Sequence, residues 1–200
     1  MNVASHYNDL YKKGSPFGDD VHNLVKAILM HKKFGAVLDI GAGQGRNALF
    51  FASRGFDVTA IDLSNEAIGQ IQKSAREIGV VLDTAIMDVR KYVPKKKFDV
   101  IICLFVLHHL EAGEAIGLIE KIKLWTAVGG LNVLATFTQD GDFYKVKNPN
   151  NFFYPASGEV KNLYADWQII QWKERETKAF QKKDDGSPMI NTTSFLIAQK

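Results

Sequence analysis

The chain has 200 residues, 46% apolar and 24% charged, which suits one domain with a sizeable core and excludes a disordered chain. Its 25 basic and 22 acidic residues leave a formal net charge of +3, too mild to argue for nucleic acid. The single cysteine, Cys103, excludes an internal disulfide, suits a reducing compartment and lies in an apolar run where a packing role is expected.

The N-terminal stretch MNVASHYNDLYKK has no apolar run behind a basic start, so no signal peptide is expected. The longest apolar run, Val100 to Leu107, falls far short of the ~20 residues of a membrane span. A cytoplasmic protein with no membrane partner is the expectation. Asp19 and Asp20 open a helical pattern (Val21, Leu24, Val25, Ile28, Leu29) that stops near Gly35. Ala36 to Ile40 reads as a buried strand ending in glycines. Gln44 to Arg54 is a helix closed by Gly55, and Asp57 to Ile61 the next strand. Ser64 is an N-cap for a helix carrying Ile68, Ile71 and Ala75 inward, with Gly79 past its end.

Val81 to Ile86 and Phe98 to Phe105 follow as strands; the second has almost no polar interruption, as in strands covered on both faces. Ala112 to Ala127 is a helix with Ile116, Ile119, Ile122 and Trp125 inward, and Gly129-Gly130 turns into the strand Leu131 to Thr138. Residues 140–156 read as a loop rich in Asn, aromatics and Pro, followed by a short helix at about Ser157 to Tyr164. Two strands, at about Trp167 to Glu174 and Ile190 to Ala198, close the chain around a polar loop. The alternation predicts a single α/β domain: a Rossmann-like, doubly wound, mostly parallel sheet with an antiparallel edge. Residues 1–35 are an N-terminal lid and first helix, 36–138 a cofactor-binding core, and 139–200 an acceptor-side loop, helix and closing hairpin.

The first strand leads into Asp39-Ile40-Gly41-Ala42-Gly43-Gln44-Gly45-Arg46-Asn47. Glycines here let the backbone turn sharply and admit a ligand to close approach. Dinucleotide binders read G-x-G-x-x-G. Here the third glycine comes one position early, and Arg46 stands where their helix packs closely. Asp39 adds a carboxylate that is unwelcome beside a pyrophosphate and useful beside an ammonium. Asp62, 17 residues after Gly45, ends the second strand, where an acid can accept from ribose hydroxyls. Asp88 ends the third, where it can accept from an adenine amino group while the Val89 backbone reads the ring edge. Three acids at three successive strand ends converge on one crevice.

These residues resemble class I S-adenosylmethionine-dependent methyltransferases, and within them the tellurite-resistance, TehB-like group. The resemblance runs from about Tyr7 to Gln199 and is densest in VLDIGAGQGRNALFFASRGFDVTAIDLS, with further matches in FDVIICLFVLHHLE and VGGLNVLATF. It implies a seven-stranded sheet with the last strand antiparallel, and S-adenosyl-L-methionine as cofactor. It places Gly41, Gly43 and Gly45, with Ala42 and Asn47 of the same turn, at the methionine end. Asp62 and Leu63 fall at the ribose and adenine, Asp88 and Val89 at the adenine, and Leu104 and Phe105 beside the sulfur. It implies methyl transfer to a small-molecule acceptor, with tellurite or selenite as the reference activity and other thiol, amine or carboxylate acceptors possible. The chain departs from the group in one place. Members often carry His or Arg in the loop between the last two strands, whereas Thr177 to Lys182 holds neither, and no histidine follows His109.

The acceptor-side candidates are His109 as base or pocket wall, and Arg46 as guide for an anion. Tyr7 and Tyr11 belong to the expected lid, and Phe152 and Phe153 to the long loop. No metal-ligand cluster is present, and alignment alone can supply ~7–11 kcal/mol of barrier reduction. The rival readings are an RNA or protein methyltransferase, which lacks an N-P-P-Y-type motif here, a cofactor-binding protein without turnover, and a dehydrogenase.

Overall fold

The computed structural model describes residues 3–14, 16–147 and 151–200. Residues 1, 2, 15 and 148–150, within the expected lid and the expected long loop, lie outside the described residues. The elements in chain order are α1 (Val3–Tyr11), α2 (Asn23–Ala27), β1 (Ala36–Ile40), α3 (Arg46–Ala52), β2 (Asp57–Asp62), α4 (Asn65–Ile78), β3 (Asp83–Ile86), β4 (Phe98–Leu104), α5 (Ala112–Trp125), β5 (Thr126–Phe137), α6 (Asp142–Lys147), α7 (Glu159–Asn162), β6 (Gln168–Lys182) and β7 (Pro188–Gln199). The seven strands form one sheet in the order β3-β2-β1-β4-β5-β7-β6. The first five run parallel, and β7 lies antiparallel between β5 and β6.

Strand alternation sends two sets of side chains to opposite faces. Val37, Val58, Val100, Ile102 and Val133 meet Leu24, Val25 and Ile28 from α2 and its continuing turn, Phe51 of α3, and Ile68 and Ile71 of α4. Leu38, Ile61, Ile101, Cys103 and Leu134 meet Leu118, Ile119 and Ile122 of α5 and Val160 of α7. Both faces are therefore covered, which is why β1 and β4 read as apolar runs interrupted only by Asp39 and Asp99. Each fully buried aliphatic side chain stabilises the fold by about 1.5–3 kcal/mol. Tyr164, fully buried on the second face, donates to Asn132 at 2.9 Å; Asn132 donates to Thr126 at 2.7 Å, and Thr126 to the Ile122 carbonyl at 2.7 Å.

Several boundaries move. Val3–Tyr11 is a helix, with its apolar residues too sparse to announce one. Within 140–156, Asp142–Lys147 forms α6. Ile116 is exposed, and Leu118 takes the inward place expected for it. The glycine pair 129–130 lies inside a longer β5, and β6 runs on to Lys182, so Thr177 to Lys182 is strand. The two capping glycines expected after α3 and α4 sit at φ of 79° for Gly55 and 70° for Gly79.

Strand order reverses between β1 and β4, so the loops after those strands diverge at the carboxyl edge. In doubly wound sheets ligands bind at this switch point.

Candidate functional site

The turn after β1 is left-handed at its glycines, with φ of 56° at Gly43 and 86° at Gly45. At Gly45 an added Cβ would lie 2.5 Å from Ile71 of α4, so this glycine seats the start of α3 against α4. The close-packing glycine is thus Gly45 itself, and Arg46 is no obstacle to it. At Gly43 the added Cβ would lie 2.5 Å from the hydroxyl of Tyr11. The turn is fastened from β2: the Ile61 carbonyl accepts from Gly41 and Ala42 at 2.9 and 3.1 Å. Asp62 accepts from the Gly43 amide at 2.8 Å through Oδ2, and from the Ser64 amide at 2.8 Å through Oδ1. One carboxylate therefore shapes the glycine turn and caps the approach to α4. With about four lone-pair directions it still has capacity for a ligand. Burial raises its pKa, opposed by those amides.

Asp39 is 2% exposed, and its Oδ2 is buried without a hydrogen-bond partner among the described residues. Burial, reinforced by the charge of Asp62, pushes its carboxyl up to about 7, against the opposing pull of Arg46 and the Ala48 amide. A buried acceptor left unsatisfied costs about 1–3 kcal/mol, and such groups cluster at functional sites. This is the side chain expected to face an ammonium, and its orphan oxygen fits that group.

Asp88 ends the third strand's turn as expected, but its carboxylate is engaged. It caps the 3-10 turn Val89–Lys91 and accepts from Arg90 Nε at 2.9 Å and Nη2 at 2.6 Å. Arg90 holds its carboxyl below the usual range. Arg90 also pairs with Glu114 at 3.3 Å, tying this wall to α5. Val89 is buried, and Leu63 stays partly exposed beside Asp62.

At the other lip, Leu104 closes β4 and Phe105 adopts φ 59°, the one non-glycine in the left-handed region among the described residues. Such backbone strain, of order 1–3 kcal/mol, concentrates at functional sites. The Phe105 amide donates to Ala135 at 2.7 Å, and its ring packs 5.1 Å from Phe137 and 6.3 Å from His22. His108 is buried against His109, Phe137 and Tyr154. His109 Nε2 and the Tyr7 hydroxyl share a hydrogen bond of 2.8 Å.

That bond ties α1 to the turn after β4. The α1 helix lies over the glycine turn, with Tyr7 stacked on Tyr11 at 6.1 Å and Phe17 against both rings. Asn8 accepts from Ser64 Oγ at 2.6 Å, and Gln70 of α4 donates to the Tyr11 carbonyl at 2.6 Å. Burial and the nearby Asp62 charge push the Tyr7 hydroxyl up to about 12 and Tyr11 higher still, so both are neutral near pH 7. Arg46 Nη1 donates to the Phe17 carbonyl at 2.7 Å, tying the segment after α1 to the start of α3. Asn47 is buried, and its Oδ1 accepts from the His22 amide at 3.4 Å.

A family model described as tellurite resistance protein TehB matches residues 3–193, nearly the whole chain. The chain belongs to the TehB family. A probable S-adenosyl-L-methionine-dependent methyltransferase TehB of Haemophilus influenzae is 27% identical over 165 residues, covering 82% of this chain and 57% of that protein. A protein named Hemagglutinin 1 from Eikenella corrodens is 30% identical over 163 residues, covering 82% of this chain and 54% of its own. The chain spans about half the length of these curated relatives. The crystal structure of TehB from Haemophilus influenzae superposes with a TM-score of 0.81 at 24% identity, covering 97% of this chain and 67% of that one. The N-methyltransferase NodS of Bradyrhizobium japonicum, solved with S-adenosyl-L-homocysteine, gives 0.74 at 16% identity, covering 100% and 99%. The fold is that of class I S-adenosylmethionine-dependent methyltransferases.

Gly43, Asp62 and Asp39 lie together around the turn after β1, and the acceptor candidates divide. Tyr7, Tyr11 and His109 meet at α1, and Arg46 joins them through Phe17. Phe153 does not join them: it is 3% exposed and packs in the core with α5 and Tyr164. Phe152, 48% exposed, pairs by backbone with Glu111 on the surface. The ring of that run facing the histidines is Tyr154, 6.1 Å from His108. Alternation explains the miss, since extended backbone sends neighbouring rings to opposite sides. Sequence reasoning also missed His22, stacked on Phe195 at 5.6 Å, and Arg175, whose guanidinium lies 4.9 Å from the same ring. Among the described residues no cluster of three or more His, Cys, Asp or Glu could hold a metal, and no helix is long and apolar enough to cross a membrane.

Proposed function

We propose that the chain transfers the methyl group of S-adenosylmethionine to a small-molecule acceptor at the crevice between β1 and β4. The observation that carries this is the orphan Asp39 oxygen, buried at the root of a glycine turn on the switch point. A carboxyl there opposes a phosphate ligand and favours an ammonium. Bound at this site, S-adenosylmethionine supplies an electrophilic methyl on a sulfonium.

The chain's own residues divide the remaining work. Asp39 holds the ammonium. Asp62 keeps the glycine turn open through Gly43 and accepts from ribose hydroxyls with its spare lone pairs. Asp88 and Val89, with Leu63, border the adenine, and Leu104 and Phe105 border the reacting edge. The α1 lid excludes water, which strengthens every charge interaction beneath it. His109, oriented by Tyr7, is placed to take a proton from an acceptor that must lose one. A chalcogen oxyanion such as tellurite or selenite needs no base and attacks by a lone pair, with cationic positioning.

Methyl transfer to a panel of selenite, tellurite, thiols and amines, followed by S-adenosylhomocysteine release, tests the proposal. Turnover on at least one member is expected. Tight cofactor binding with no transfer to any acceptor would reduce the chain to a binding protein.

A further inference from the structure

A depression of about 360 Å³ is lined by Asp20, Val21, His22, Asn23, Lys26, Arg46 and Arg175. Its cations come from three separate elements: Lys26 from α2, Arg46 from the start of α3 and Arg175 from β6. Lys26 and Arg175 are exposed and Arg46 is half-buried, so the three cations give this face a positive field open to solvent that favours an anion. Asp20 is the one acid in the lining. The field is felt at His22: burial, then Arg46, Arg175 and Lys173, push its imidazole down to about 4, so it is neutral near pH 7. The volume is many times the ~30 Å³ share of a water molecule.

We propose that this depression is a binding site for a small oxyanion, a phosphate, sulfate or carboxylate group, held by Lys26, Arg46 and Arg175. Arginine matches such groups through paired N–H donors, and lysine adds a point charge. The His22 ring lines this site, stacked on Phe195 and edge-on to Phe105. The same chemistry has two sources: a free inorganic anion, or the charged end of an acceptor whose other end reaches the β4 edge.

The test titrates inorganic phosphate into the full chain at low ionic strength, followed by amide chemical shifts. Wild type, Lys26→Gln, Arg175→Gln, the double variant and Asp20→Asn are compared. Saturable shifts centred on Asp20–Lys26 are expected. Affinity should fall about tenfold in the double variant and rise in Asp20→Asn, as charge-assisted bonds and like-charge removal require. Affinity in the double variant equal to wild type, or weaker binding in Asp20→Asn, would overturn the assignment. Two kinetic arms separate the sources. Competitive inhibition by phosphate against a carboxylate-bearing acceptor places the acceptor's charged end here, and binding without competition assigns the site to a free anion. None of the substituted residues is assigned to the cofactor, so S-adenosylhomocysteine affinity stays unchanged in all four variants. Its loss in wild type would instead count against the cofactor crevice and leave this site standing.

Discussion

Gly43→Ala is the perturbation that reads the lid and the turn together. Alanine at φ 56° carries the left-handed penalty of about 1–2 kcal/mol. Its Cβ would also lie 2.5 Å from the Tyr11 hydroxyl and 3.4 Å from the ring carbon bearing it, so Tyr11 must retreat by several tenths of an ångström. Tyr11 is 5% exposed and pinned through its carbonyl to Gln70, so the retreat strains a packed ring, an overpacking cost of about 1–3 kcal/mol. The total is roughly 2–5 kcal/mol. Tyr11→Phe removes the clashing atom and leaves the backbone penalty. Urea unfolding of wild type, both single variants and the double variant should therefore give a coupling of about 1–3 kcal/mol, with Tyr11→Phe partly rescuing Gly43→Ala. Additivity within ~0.5 kcal/mol would refute the contact between lid and turn.

Asp62→Ala strips the acceptor from two backbone amides and from the expected ribose seat. S-adenosylhomocysteine affinity measured by calorimetry should fall by about 1–3 kcal/mol, and an affinity matching wild type would remove the residue from that role. Asp39 titrates at about 7 when folded against an ordinary 3.8, so the native state binds the extra proton between those values. Stability of the unliganded chain should fall as pH rises across that window and be fully present below it. An ammonium beside Asp39 favours the carboxylate, so S-adenosylhomocysteine affinity should climb as pH rises towards 7. Asp39→Asn should flatten both profiles, and a slope unchanged in that variant would assign the dependence elsewhere. Tyr164→Phe leaves the Asn132 oxygen without its buried donor and should cost about 1–2 kcal/mol in urea unfolding; a neutral result would mean water replaces the hydroxyl.

The glycine turn after β1 and the acids near it were legible because their constraints are local. A strand ending in D-x-G-x-G-x-G and acids at the next two strand ends announce themselves by spacing, and the doubly wound order follows from apolar runs alternating with helix periods. The contacts around the acceptor candidates span long separations. The Tyr7–His109 bond joins residues 102 apart, and no pattern near either one marks it. Phe152 and Phe153 look equivalent in sequence, yet extended backbone turns one into the core and the other to solvent. Arg175 was hidden because the strand pattern in the sequence gives out at Glu174. The strand's continuation to Lys182 is set by pairing with β7, which local propensity does not reveal. Asp88 follows β3 as the spacing indicates, but no local pattern announces its ion pair with Arg90.

The most direct measurement is a crystal structure of the chain grown with saturating S-adenosylhomocysteine. The predicted result has ribose hydroxyls on Asp62, the amino acid ammonium on Asp39 and the α1 helix closed over both. A crevice filled by Tyr7 and Tyr11, with ligand absent or bound at another face, would contradict it.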